Sequence, residues 1–136
     1  MRVTLEKGAY LPKRQHATDA GLDLYSPVAV AIAPYSKRVI DTGVHVEIPT
    51  GCCGLLVSKS GLNCNHDITT TGLIDEGYTG TIRVAMYNHS DKPYYVEIDD
   101  KISQLVIIPC IYPSVELADH FAGGDRGDAG FGSTGR

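Results

Sequence analysis

The chain has 136 residues, 43% apolar and 21% charged, with a net charge of -4 and no tryptophan. This length fits one domain with a modest core. The acidic balance, with no Lys/Arg cluster beyond Lys13-Arg14 and Lys37-Arg38, argues against a nucleic-acid polymer as partner but leaves a small anion possible in a local pocket.

From the amino end, residues 1–9 carry charged side chains and no long apolar run, and no signal-peptide pattern is found. The longest nearly apolar stretch, Val28 to Pro34, is far too short to span a bilayer, so a cytoplasmic protein without membrane association is the expectation. The first polar cluster is Asp19-Ala20-Gly21-Leu22-Asp23-Leu24. If both leucines face the core, Asp23 points the other way, either holding the water shell of a metal or simply solvated.

Period-two alternation then dominates. Val28, Val30 and Ile32 alternate with alanines, Val44, Val46 and Ile48 with His45 and Glu47, and Ile82, Val84 and Met86 with Arg83, Ala85 and Tyr87. Each reads as a strand with one buried face. Gly54 to Val57 and Leu105 to Ile108 are continuous apolar runs, as in strands covered on both sides. Turn signals fall at Ala33 to Ser36, Pro49-Thr50-Gly51, Asp75-Glu76-Gly77, Asn88 to Pro93 and Asp99-Asp100. Gly61 to Asp67 has room for about one turn of helix. The spacing predicts an all-β antiparallel sandwich or barrel.

Two further polar clusters follow strands. Ser58-Lys59-Ser60-Gly61 combines hydroxyls, a cation and a glycine, which suits a phosphate nest, though a Ser-Gly turn is also common without a ligand. Gly72 to Tyr78 carries Asp75 at the start of a tight turn. That is rigid support for a general base, or an ordinary hairpin aspartate. Cys52, Cys53, Cys64 and Cys110 lack zinc-ligand spacing and are expected as free thiols, with Cys52 and Cys53 on opposite sides of a strand. The five histidines are scattered, and no zinc, Walker or nucleophile-elbow motif is present.

Residues 122–136 contain six glycines, one aromatic residue, Arg126 and a Ser133-Thr134 pair. Such a segment has little apolar surface to bury and much entropy to lose, so one reading is a floppy tail. The other is a lid over a planar, phosphate-bearing ligand, with a ring to stack and donors for phosphate oxygens.

Taken together, five segments in order resemble the motifs of the trimeric dUTPase family: Ala20 to Ser26, Pro49 to Leu62, Gly72 to Gly80, Asp100 to Leu105, and Arg126 to Gly135. The resemblance implies a distorted antiparallel jelly roll of the β-clip type over residues 1–121, with 122–136 as an arm closing over a neighbouring subunit's site. It implies a homotrimer with three sites at subunit interfaces, and dUTP as the ligand, cleaved to dUMP and pyrophosphate.

By motif, Asp75 corresponds to the base that orients and deprotonates the attacking water. Tyr78 would pack on the deoxyribose and exclude a 2'-hydroxyl, and hairpin backbone including Gly72 and Ile74 would read the uracil. Lys59, Ser60, Gly61 and Gln104 would meet the phosphates. Phe131 would stack on the base, with Gly132 beside it, and Arg126, Ser133 and Thr134 would meet the terminal phosphate. Asp23 and Gln104 would support the metal site through water. Mg2+ would be held by the triphosphate and water, with no direct protein ligand.

Lys59 stands where the family usually has arginine and gives up the bidentate fork. Gly77 stands where an acidic residue is common, which loosens the turn, and Ala129 replaces a glycine. The alternatives on the same fold are a dCTP deaminase-like enzyme, whose Ser-Ser-x-Ala-Arg segment and glutamate base are not found here, and a regulatory protein that binds dUTP and partner proteins. For a phage-encoded chain of this family, the location would be the host cytoplasm.

Overall fold

Among the described residues eleven short elements follow one another, and all but one are strands: β1 (Val3–Leu5), β2 (Gly21–Tyr25), β3 (Val30–Ile32), β4 (Ser36–Asp41), β5 (Val44–Val46), β6 (Cys52–Val57), α1 (Ser60–His66), β7 (Ile68–Ile74), β8 (Arg83–Asn88), β9 (Tyr94–Val96) and β10 (Lys101–Pro109). The computed structural model describes residues 1–121, 123, 124 and 127. Every pairing is antiparallel. A six-stranded sheet runs β2-β10-β6-β7-β8-β4, and two ribbons, β1-β5 and β3-β9, complete a distorted jelly roll.

The core is aliphatic. Leu24, Ile32, Val44, Ile68, Ile82, Val84, Met86 and Leu105 are all fully buried, each worth about 1.5–3 kcal/mol over an exposed position. β8 shows the expected alternation, with Val84 and Met86 inside. The run in β10 is buried at Ile102, Ser103 and Leu105 and half-buried from Val106 to Ile108. Gly54 lies where β6 crosses the core: a Cβ there would come within 2.8 Å of Leu105 Cδ1.

The expected turns close by hydrogen bonds. The amide of Cys52 donates to Pro49 O at 3.1 Å with Gly51 at φ +75°, and that of Tyr78 donates to Asp75 O at 3.1 Å with Gly77 at φ +86°. Both place glycine at the third turn position, where a positive φ favours it. The helix α1 covers seven residues and ends at Asp67 in the left-handed region. All four cysteines are free, Cys53 buried and Cys52 half-buried. Among the described residues no helix is long and apolar enough to cross a membrane.

Candidate active site

Asp23 is the centre of one polar cluster. It sits mid-strand in β2, directly opposite Gln104 of β10, and is 3% exposed. Its Oδ1 receives Lys59 Nζ at 2.6 Å and Gln104 Nε2 at 3.3 Å, and Oδ2 lies 2.9 Å from Lys101 Nζ. Gly21 makes room for Gln104 to cross β2, since a Cβ there would come within 2.9 Å of Gln104 Cβ. Burial pushes the Asp23 carboxyl up, but the hydrogen bonds and charges of Lys101 and Lys59 outweigh it and hold the group below its ordinary range. Bonding to Asp23 in turn raises Lys101. Two ammonium groups on one carboxylate leave a net positive charge, a surface suited to phosphate oxygens.

Residues from the first, second and fourth motifs therefore meet around one buried carboxylate. Lys59, which caps α1 without a side-chain capping bond, makes a single-point contact where arginine would make a fork. Ser60 and Gly61 open α1, both exposed, with nothing within 4 Å of the position a Gly61 Cβ would take. Behind them a hydroxyl ladder ties β6, β7 and β10: Ser58 Oγ donates to Thr70 O at 3.1 Å, Thr70 Oγ1 and Ser103 Oγ are 2.9 Å apart, and Ser103 Oγ donates to Val57 O at 3.1 Å.

The second cluster lies past the end of β7. Ile74 is buried and anchors the strand opposite Gly54, while Asp75 stands exposed on the closed turn. A cleft of about 320 Å³ is lined by Leu73, Ile74, Asp75, Tyr78, Thr81 and Arg83. The phenol of Tyr78 donates to Thr81 O at 3.0 Å, and its ring lies over Gly80, where a Cβ would be 2.6 Å from Tyr78 Cζ. Gly72 packs on Leu56, with 3.1 Å to its Cδ1 from a Cβ position.

Glu76 links this turn to the rest of the fold. Its Oε2 accepts the Gly51 amide at 2.9 Å and the Tyr112 phenol at 2.8 Å. The amide bond from Gly51, then the phenol, hold Glu76 below its ordinary range, and the bond to Glu76 pushes Tyr112 up to about 12.

The two clusters do not meet within one chain. β10 and β6 separate β2 from β7, about 14 Å at ordinary strand spacing, and no hydrogen bond or ion pair joins Asp75 to Asp23, Lys59 or Gln104.

Among the described residues no group of three or more His, Cys, Asp or Glu side chains converges as a metal site. Both Asp23 oxygens are engaged by lysines, and Gln104 Oε1, the amide oxygen opposite the Nε2 that donates to Asp23, is a further acceptor suited to a metal-bound water.

Lys101, Thr81 and Arg83 were not singled out by the sequence reading. Lys101 carries a readable signal, a cation three residues before Gln104, but a register shift between Lys101 and Ser103 is what turns both toward Asp23. Arg126, Phe131, Gly132, Ser133 and Thr134 lie outside the described residues.

Against this geometry, a family model described as dUTPase matches residues 7–135. The deoxyuridine 5'-triphosphate nucleotidohydrolase of Gloeothece citriformis is 42% identical over 139 residues, covering 99% of this chain and 96% of that protein. Among solved structures, the dUTPase of Staphylococcus bacteriophage 80alpha with dUpNHpp has a TM-score of 0.92 at 34% identity, covering 99% of this chain and 98% of that one. That protein is described as controlling transfer of virulence genes by a proto-oncogenic G protein-like mechanism. A mutant dUTPase of phage phi11 of S. aureus, described for its coordination of a structural Mg(II) ion, has a TM-score of 0.82 at 31% identity, covering 90% of this chain and 98% of that one.

Proposed function

The chain belongs to the dUTPase family, and from that membership we propose that it hydrolyses dUTP to dUMP and pyrophosphate by attack of an Asp75-held water on the α-phosphorus. The observation that carries the reading is the split site. A carboxylate stands exposed over a cleft past the end of β7, and Asp23, at the centre of a cation-rich cluster, lies on β2, three strands away in the sheet order. Neither half is a complete phosphoanhydride site. A homotrimer in which one chain's hairpin meets a neighbour's Asp23 cluster completes it.

In that site the Asp75 carboxylate accepts a hydrogen bond from water, aligns its lone pair with the α-phosphorus and takes its proton as the P–O bond to the leaving pyrophosphate breaks. Tyr78, fixed through Thr81 and pressed on Gly80, forms the wall against the deoxyribose and leaves no room for a 2'-hydroxyl. Hairpin backbone around Gly72 and Ile74 reads the uracil edge. A hydrogen-bonding site rejects cytosine far more strongly than a gap or a missing methylene would.

Lys59 and Lys101 supply charge for the phosphate chain, with Ser60, Gly61 and Gln104 donating to its oxygens. Phe131, Gly132, Arg126, Ser133 and Thr134 of a further chain's arm, residues 122–136, close over base and terminal phosphate. A Mg2+ ion bound by the triphosphate would screen its charge. Gln104 Oε1 would accept from its water shell, and Asp23 would serve that shell indirectly by holding Gln104 and the lysines. The protein acts in the cytoplasm of its cell, or of the host if phage-encoded.

Incubation of the purified chain with dUTP, dCTP, dTTP and UTP, each with magnesium and with a chelator, tests this reading. Magnesium-dependent dUMP and pyrophosphate from dUTP alone is the expected result. Ammonia from dCTP would make it a deaminase. Silence on all four would leave a dUTP-binding regulator, a reading that the description of the 80alpha protein favours as a second role.

A further inference from the structure

We infer that Glu76 and Tyr112 form a clasp that positions the Asp75 turn and ties it to the segment that follows β10. The inference rests on the reading of Asp75 as the base. The turn from Asp75 to Tyr78 has one internal bond, Tyr78 N to Asp75 O at 3.1 Å, and Gly77 within it carries no side chain to brace it. Its four residues are all exposed. Burial therefore cannot fix the carboxylate, and an exposed turn with a glycine is the part of a fold most free to move.

What fixes it is the neighbouring side chain. A single oxygen, Glu76 Oε2, accepts from two chain segments remote from each other in sequence: the Gly51 amide of the β5–β6 turn at 2.9 Å and the Tyr112 phenol at 2.8 Å. Both are charge-assisted, the stronger class of hydrogen bond. The Gly51 turn is itself held to the chain beyond β10, because Cys110 N donates to Gly51 O at 2.8 Å. Tyr112 thus leaves β10 two residues after a backbone anchor and returns its phenol to the residue beside Asp75. The same hydroxyl lies 3.3 Å from Cys52 O, a longer contact on the same side.

Beyond Tyr112 the described chain up to Phe121 is exposed and in no strand. Tyr112 is thus the last side chain of that segment, among the described residues, with a hydrogen bond to the body. The clasp joins the segment leaving β10 to the turn carrying the base, so placing one constrains the other. It also supplies the rigidity that Gly77 removes.

Steady-state kinetics of the full chain and its Glu76→Ala, Glu76→Gln, Tyr112→Phe and Glu76→Ala/Tyr112→Phe variants test this, with thermal unfolding as the check on folding. Glutamine keeps a carbonyl oxygen able to accept both bonds, so a clasp predicts recovery without charge. Glu76→Ala is expected to lower kcat about tenfold with KM for dUTP changed by less than about twofold, since misplacement of a reacting group acts on the chemical step. Tyr112→Phe should lower kcat about threefold, Glu76→Gln should stay within about twofold of wild type, and the double variant should be no slower than Glu76→Ala, because two halves of one contact are not additive.

Wild-type kcat in Glu76→Ala, or Glu76→Gln as slow as Glu76→Ala, would overturn the clasp. Tyr112→Phe removes one hydroxyl from an exposed ring and keeps the test open if the alanine variant does not fold. Hydrogen exchange reads the clasp without activity. The Tyr78 amide should exchange faster in Glu76→Ala and Tyr112→Phe, and unchanged exchange would overturn the inference. A wild-type chain that leaves dUTP intact, with variants that still show this exchange pattern, would sink the functional reading alone.

Discussion

Lys59 Nζ lies 2.6 Å from Asp23 Oδ1, and this ion pair fixes the strand β2 to the start of α1. With Lys101 on the other oxygen, the carboxylate is the buried partner of two cations. Asp23→Asn keeps the shape and removes the charge. Breaking a buried pair in this way costs about 3–5 kcal/mol when the remaining ion cannot escape to water, and less here because both lysines are partly exposed. We expect a loss of about 2 kcal/mol at neutral pH by urea unfolding, and a higher KM for dUTP as the lysines lose their register.

The pH dependence of that loss follows in sign. The Asp23 carboxyl is held below its ordinary range in the folded chain, so the unfolded state binds the proton more readily. Its contribution is complete above the ordinary carboxylate pKa and disappears as pH falls through the lowered folded value. The stability gap between wild type and Asp23→Asn should therefore be constant from pH 7 to about pH 5 and shrink below about pH 4. A gap that widened with acid would contradict the ion-pair assignment.

Gly80→Ala tests the proposed wall against the sugar. A methyl group there would overlap the Tyr78 ring, and the ring must turn away or the turn must open. Activity on dUTP should fall by about tenfold, and the preference for dUTP over UTP should narrow as the wall moves back from the 2' position. Competition assays with both nucleotides measure this directly, and unchanged discrimination would remove Tyr78 from the sugar site.

The proposed division of the site between subunits has its own signature. Asp75→Asn and Lys59→Ala chains, each nearly inactive alone, should regain activity when refolded together. At equal amounts, sites that draw the intact hairpin from one chain and the intact lysine from another make up about a quarter of the total under random assembly. Mixing without any recovery would mean that both residues serve from one chain.

Much of this was legible in the sequence because strands with one apolar face announce themselves. β5, β6, β8 and the body of β10 follow their alternation or runs, and the turns at Gly51 and Gly77 fall on the glycines that mark them. β4 was not legible: in Ser36–Asp41 only Ile40 is buried, since the strand lies at the sheet edge. β1 and β9 are three residues each and exist through partners such as Val46 and Val30.

β7 reads as polar, yet Thr70 is buried because Ser58 and Ser103 satisfy its backbone and hydroxyl. Alternation placed Asp23 on the face away from two buried leucines. In the fold Leu22 is half-buried and Asp23 is itself buried under Lys59 and Lys101. A bulge in the partner strand and a lysine from a distant turn decide that environment, and neither is a local property of the sequence.

The central claim is that water held by Asp75 attacks the α-phosphorus, and hydrolysis of dUTP in water enriched in heavy oxygen tests it most directly. Mass spectrometry of both products should find one heavy oxygen in dUMP and none in pyrophosphate, with the rate lowered by about 10²–10⁴ in Asp75→Asn. Heavy oxygen in pyrophosphate, or an Asp75→Asn chain as fast as wild type, would contradict the account.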